Sequence, residues 1–386
     1  LNEVDMSEAV PSGEAPVPLI TGGSDNQPAR LRKIWQAAIR TEASDVLIRP
    51  GVPVKFRVRG TLKNVDAPPF SPQEMEQEIQ AMLSPEQWRH YQQAGSIDLA
   101  HSYDPDNRFR VNVFRTMGRS AIAARRVSSK ILNYEQLRLP PILGQITEAH
   151  QGLILLCGVT GSGKSTTIAA MLQQINETRP CHILTLEDPV EYLFKDAKAL
   201  VNQREIGVDV PNFASGLRAL VRENPDVVLI GEMRDRETFE AAVQAAETGH
   251  LVFGTVHASS ASQCFGRIYN LFPPEERSLI RDMFAHTLKA IVYQKLLKTL
   301  LPEVPRVPAV EVLLNTPVVT KFIEESRENE LPDIIRNSQA EGMIDYHAWL
   351  VDLVNKEYIH PRVAMEAARN ADDLRMRLKG IRTGTG

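Results

Sequence analysis

The stretch GVTGSGKST, residues 158–166, follows the order G-x-x-x-x-G-K-[ST]. Gly158, Gly161 and Gly163, with Thr160 and Ser162 between them, let successive backbone N–H groups curl around phosphate oxygens at a helix N-terminus. Lys164 then places a point charge on the β- and γ-phosphates, Ser165 offers its hydroxyl to Mg2+, and Thr166 continues into the helix. The loop works only between a strand and a helix. The apolar run GLILLC (152–157) before it and Ile168, Met171 and Leu172 after it supply both, so the segment predicts ATP with Mg2+.

Three further blocks put polar chemistry beside buried-type strands. In VRENPDVVLIGEMRD (221–235) Glu232 follows the VVLI run after a single glycine, and the carboxyl ends of strands face the ligand crevice in open α/β sheets. In TLEDPVEYLF (185–194) Glu187, Asp188 and Glu191 follow another apolar run. In AAETGHLVFGTVHASSA (245–261) His250 and His257 bracket LVFGTV, one before the strand and one after it.

These blocks need a scaffold. GLILLC, HILTLE, DVVLI and LVFGTV alternate with helical segments, which predicts a mainly parallel sheet covered on both faces over residues 152–300. Before it, residues 29–127 alternate apolar and polar positions around turn signals, as in a small α+β domain of PAS-like kind. Phe109, Val111 and Val113 face one way on a strand there, and Arg108, Arg110 and Asn112 the other. Residues 128–151, with Pro140-Pro141, read as a linker, and 301–386 as a mostly helical region. The Pro-, Gly- and Ser-rich opening, 1–28, and the closing KGIRTGTG read as disordered tails.

Composition narrows the function classes. A chain of 386 residues with 43% hydrophobic and 24% charged residues suits two globular domains. No apolar run approaches the ~18 residues of a membrane span, so direct insertion is not expected. A net charge of −4 gives no global attraction to nucleic acid. Three scattered cysteines, Cys157, Cys181 and Cys264, give neither a disulfide framework nor a zinc set, and fit a reducing cytoplasm.

Together the four blocks resemble the secretion ATPase superfamily, the RecA-like hexamers of type II secretion and type IV pili, over about Leu31 to Tyr358. The block R-x-x-P-D-x-x-x-x-G-E-x-R-D is met by Arg222, Pro225, Asp226, Gly231, Glu232, Arg234 and Asp235. The resemblance implies that Glu232 positions Mg2+ across from Ser165, that Glu191 is the general base, and that Glu187 and Asp188 hold the metal or shape the loop. It implies a role at the nucleotide for both histidines, His257 near the γ-phosphate and His250 bridging to neighbouring structure. It makes Arg110 and Arg126 the first domain's arginines toward the phosphoryl group, on one sheet face, with Arg125 the alternative register.

Within the superfamily the chain is most similar to the PilT-like type IV pilus retraction ATPases. It has no tetracysteine module after YQKLLKTL, and residues 1–30 are too short for the docking region of extension and secretion ATPases. VVTKFIEE stands where the retraction branch carries A-I-R-N-L-I-R-E, and SDVLIRPG departs from an Asp-Leu-His-Leu pattern, so a PilU-like paralogue working with a companion pilus ATPase also fits. The expected partners are copies of this chain in a homo-hexamer and an inner-membrane pilus platform protein. The alternatives are an extension or secretion ATPase and a weakly hydrolysing regulatory ring.

Overall fold

The computed structural model describes residues 29–380 apart from Arg59, Pro105 and Val221. The expected tails, 1–28 and 381–386, lie outside the described residues. Packing divides the chain into two compact units, residues 29–126 with 206–212, and residues 127–205 with 213–380.

The first unit is a six-stranded sheet backed by three helices. It runs α1 (Ala29–Arg40), β1 (Asp45–Ile48), β2 (Lys55–Val58), β3 (Thr61–Asn64), α2 (Pro72–Met82), α3 (Pro85–Ala94), β4 (Ser96–Asp104), β5 (Asn107–Thr116) and β6 (Arg119–Val127). The strand order is β3-β2-β1-β6-β5-β4. Ser71 and Ser84 start α2 and α3 with reciprocal capping boxes to Glu74 and Gln87, each followed by proline at the first helical position. Val46, Ile48, Phe109, Val111, Ile122 and Ala124 form the core with Trp35 of α1.

Alternation along these strands corrects one expectation. Ala124 faces the core, so Arg126, two residues on, has the same parity, and its Nη2 donates to Asn107 Oδ1 at 2.9 Å. Arg110 lies between core-facing Phe109 and Val111 and so faces the other way. The two arginines are on opposite sheet faces. Arg125, whose Nε is 3.1 Å from Asp45 Oδ1, has the parity that Arg110 shares.

The second unit runs α4 (Ile142–Ile146), β7 (Gly152–Cys157), α5 (Lys164–Thr178), β8 (His182–Glu187), β9 (Leu200–Glu205), α6 (Phe213–Leu220), β10 (Val227–Ile230), α7 (Arg236–Glu247), β11 (Leu251–Val256), α8 (Ala261–Tyr269), α9 (Arg277–Thr287), β12 (Leu288–Lys298) and β13 (Arg306–Leu314). Helices α10 (Pro317–Glu324), α11 (Leu331–Asn337), α12 (Tyr346–Asn355), α13 (Pro361–Ala367) and α14 (Ala371–Leu378) follow. The sheet order is β13-β12-β7-β11-β10-β8-β9, parallel except for β12 against β13. β7, β10 and β11 are buried at every position, as a sheet covered on both faces requires.

Two boundaries differ from the sequence reading. The expected linker belongs to this unit's core: Leu139, Leu143 and Ile146 pack with Ile154, Met171 and Leu172. The region expected to be helical from residue 301 first contributes β13 and only then becomes helical.

Candidate nucleotide site

Four neighbouring parallel strands end at one edge of the second sheet. Val256 of β11 is level with Cys157 of β7, Ile230 of β10 with Gly254 of β11, and Leu186 of β8 with Ile230. The loops leaving these strands therefore bring the residues after 157, 186, 230 and 256 together, and a cavity of about 410 Å³ opens between them. Thr160, Gly161, Lys164, Ser165, Glu187, Asp188, Glu191, Glu232 and His257 all line it.

The cradle is held from behind. Gly158, Gly161 and Gly163 have φ of +150°, +76° and +89°. A Cβ at Gly158 would lie 2.4 Å from the Gln294 carbonyl oxygen, and one at Gly163 would lie 2.7 Å from Gln294 Nε2. Gln294 of β12, almost fully buried, donates from Nε2 to Ser162 O at 2.8 Å and accepts from Thr167 Oγ1 at 2.7 Å. Thr166 Oγ1 lies 2.7 Å from Tyr192 Oη. Sequence reasoning did not single out Gln294 or Tyr192; an amide inside the apolar run IVYQKLL was the available signal for the first.

The loop suits a polyanion. Among the described residues Lys164 Nζ donates only to neutral carbonyls of the loop, Gly158 O at 2.9 Å and Val159 O at 3.2 Å. Burial pushes its ammonium below the usual lysine range, against the pull of Glu232, Cys157 and Glu191. The buried Ser162 Oγ has no hydrogen-bond partner among the described residues. A cation without an anionic contact among the described residues, on a loop whose Gly158 and Gly163 leave no room for a side chain, fits bound phosphates.

The carboxylates differ in their surroundings. Glu232 has both oxygens engaged, Oε1 at 3.0 Å from His257 Nε2 and Oε2 at 2.5 Å from Arg234 Nη2. The hydrogen bond from Arg234 holds its carboxyl below the usual range despite some burial, with the charges of Arg234, His257 and Lys164 adding to the effect. Glu187 is pushed up by burial, partly offset by bonds from Thr185 Oγ1 (2.7 Å), Gln203 Nε2 (3.1 Å) and the Glu191 backbone. Its hydrogen bonds are those of a loop support. Asp188 lines the cavity close enough to Arg234 to act on it electrostatically. Glu191 is exposed in the cavity wall.

Two other members of the 222–235 block, Asp226 and Asp235, are structural. Asp226 Oδ2 accepts from His182 N at 2.8 Å, and Asp235 caps α7 by accepting from Thr238 N at 2.9 Å.

His250 is corrected. It precedes β11 while His257 follows it, and six residues of strand separate them by ~20 Å. Its Nδ1 lies 2.9 Å from Ala245 O and 3.2 Å from Thr248 Oγ1, at the end of α7, and it does not line the cavity. Arg110 and Arg126 belong to the first unit, whereas every residue lining the cavity belongs to the second.

A phosphate loop after the first of several parallel strands, with an acidic residue just past the end of β10, one strand removed from β7 in the sheet, defines a P-loop ATPase of RecA-like architecture. The Type II/IV secretion system protein family matches residues 24–363, and the chain belongs to that family. It is 39% identical over 344 residues to a twitching motility protein of Neisseria gonorrhoeae, covering 89% of this chain and 91% of that one. It is 36% identical to the type IV pilus retraction ATPase PilT of Pseudomonas aeruginosa, over 85% of this chain and 94% of that one. Its fold superposes on a crystal structure of the pilus retraction motor PilT with bound ADP with a TM-score of 0.82, at 36% identity, over 89% of this chain and 98% of the other. Among the described residues no helix is long and apolar enough to cross a membrane.

Proposed function

We propose that the protein is the motor ATPase of type IV pilus retraction, a homo-hexamer on the cytoplasmic face of the inner membrane that works against a pilus platform protein. The observation that carries this reading is the convergence of Lys164, Glu191 and Glu232 on one cavity, in a chain whose relatives include retraction ATPases.

In the proposed reaction Lys164 and the loop N–H groups hold the β- and γ-phosphates of ATP. Ser165 and Glu232 would hold Mg2+, which would supply positive charge against the triphosphate, and His257 and Arg234 orient the Glu232 carboxylate toward that task. Glu191, exposed in the cavity wall where a water can reach it, takes that water's proton as the water oxygen attacks the γ-phosphorus. The bond from that phosphorus to the β–γ bridging oxygen breaks, and ADP and phosphate leave. Glu187 holds the loop that aims Glu191. An arginine from the first unit of a neighbouring copy, Arg110 before Arg126, offsets the charge developing on the transferred group.

The test compares two variants of the full chain. Lys164→Ala is expected to lose nucleotide binding and turnover together, whereas Glu191→Gln keeps binding and loses turnover. In a pilus-bearing host lacking its own retraction ATPase, the wild-type chain should restore shortening of tethered pili and Glu191→Gln should not. Undiminished turnover in Glu191→Gln would remove the general base, and turnover without restored shortening would remove the retraction role.

A further inference from the structure

The loop from β11 to α8 carries His257 at its start, and three separate elements grip its far end. Ser260 caps α8 by accepting from Gln263 N at 3.0 Å, and Ser260 O accepts from the buried Cys157 thiol, at the end of the strand that leads into the phosphate loop, at 3.6 Å. Glu311 of β13, 3% exposed, accepts from Ala261 N through Oε1 at 2.8 Å. Arg369, between α13 and α14, forks onto Glu311 with Nη1 to Oε2 at 2.5 Å and Nη2 to Oε1 at 3.1 Å, and Nη2 also donates to Ser259 O at 3.3 Å.

The guanidinium is itself fixed. It lies over the rings of Tyr293 and Tyr346, 5.1 and 5.0 Å from their centroids, so β12 and α12 set its plane. A planar fork packed against two tyrosine rings that meet edge to face, 5.4 Å apart, has little rotamer freedom left, and it can hold a carboxylate and a carbonyl in one geometry where a lysine could not. Glu311 is 3% exposed, and removing one partner of so buried an ion pair is strongly destabilising.

We propose that Arg369 is a positioning residue for ATP hydrolysis: with Glu311 it clamps residues 259–261, and through that loop it sets His257 against Glu232. The inference rests on the roles proposed for Glu232 and His257. It gives the helical region that ends the described chain a direct line to the carboxylate proposed to serve the metal. A displacement of the α13–α14 segment would reach the site through four residues, Arg369, Glu311, Ala261 and His257. The same contacts could instead only staple these helices to the sheet, and the two roles differ in what they couple to.

The experiment is a double-mutant cycle between Arg369→Gln and His257→Ala in the full chain. Arg369→Gln is expected to lower kcat by about tenfold with KM for ATP within about twofold, and to cost less than about twofold when His257 is already alanine. An equal loss in both backgrounds, or a loss confined to KM, would overturn the proposal. Should Arg369→Gln fail to fold because Glu311 is left unpaired, the double change Glu311→Gln with Arg369→Gln removes both charges and enters the same cycle. A second readout needs no turnover: the His257 imidazole resonances of nucleotide-free protein should shift in Arg369→Gln but stay in place in Arg362→Gln, a control on the exposed face of α13. If the wild-type chain does not hydrolyse ATP, the functional reading fails while this spectrum still decides the clamp. Unchanged His257 resonances would reject it.

Discussion

Thr166 Oγ1 and Tyr192 Oη lie 2.7 Å apart, and this contact joins the first turn of the phosphate-binding helix to the loop that carries Glu191. On its other side the loop is fixed to the chain that leaves β6, because Leu193 N donates to Ser128 O at 2.9 Å. The residue proposed as general base is exposed, yet its neighbours are tied both to the phosphate cradle and to the segment arriving from the first unit.

Tyr192→Phe keeps the ring and removes the hydroxyl contact. A neutral hydrogen bond contributes about 1 kcal/mol, so turnover should fall by about fivefold if the loop needs this tie. KM should change little, since Lys164 and the glycines still hold the phosphates. Thr166→Val should give the same loss, and the pair together no more than either alone. Steady-state rates on the three variants decide this, and full activity in Tyr192→Phe would mean that the loop is held without it.

The glycines of the cradle are predicted to differ among themselves. Gly161, at φ +76°, has open space where a Cβ would stand, so Gly161→Ala meets only backbone strain, about 1–2 kcal/mol. Gly158→Ala adds a collision with the Gln294 carbonyl, and overpacking of that kind costs a further 1–3 kcal/mol or so. Chemical denaturation should place Gly158→Ala well below Gly161→Ala in stability. Equal midpoints would contradict the close approach of β12 to the loop.

Much of this site is legible in the sequence because its parts are local. The loop, its strand and its helix are contiguous, His257 directly follows a buried strand and Glu232 follows one after Gly231, so knowing that the strands are parallel is enough to bring them together. Gln294 and Arg369 are not legible in this way, since the loops they hold lie more than a hundred residues off, and Glu311, through which Arg369 reaches its loop, is 58 residues away on a strand placed by sheet order. β13 reads poorly as a strand because Pro308 and Glu311 interrupt its apolar run. An edge strand tolerates the proline, and Arg369 provides for the glutamate. Arg110 and Arg126 share a strand-rich basic stretch, but parity along two separate strands decides their faces, and only the register between β6 and its neighbours supplies it.

His101, in β4 of the first unit, is buried against Trp35 with Nε2 unpartnered among the described residues, and burial pulls its pKa from 6.5 to about 4. Its folded value is depressed below the unfolded one, so between these two pH values the unfolded chain binds the proton and the folded chain does not. Stability is therefore unaffected by this residue above pH 6.5 and falls as pH drops toward 4, by about 3 kcal/mol in all. His101→Phe should flatten that part of the acid limb, read as melting temperature against pH. An unchanged slope would mean that His101 is hydrated or paired when folded.

The last prediction concerns which arginine reaches a neighbouring site. Arg126 is engaged with Asn107 on the core side of its sheet, whereas Arg110 is on the other face, so the two substitutions should not be equivalent. Arg126→Ala is expected to act chiefly on the stability of the first unit. Arg110→Ala is expected to fold normally and to lose turnover with binding retained, because the arginine it removes is proposed to serve the next copy in a ring. Mixing then gives a direct test. Arg110→Ala chains have an intact cradle, and Glu191→Gln chains have an intact Arg110, so a mixed ring contains composite sites in which both are present. Activity should appear on mixing two inactive preparations, at a level set by the fraction of such neighbours, and should vanish when both substitutions are placed in one chain and mixed with either parent alone. No recovery from any mixture, with hexamers present on a sizing column, would place the arginine in the same chain or remove it from the reaction.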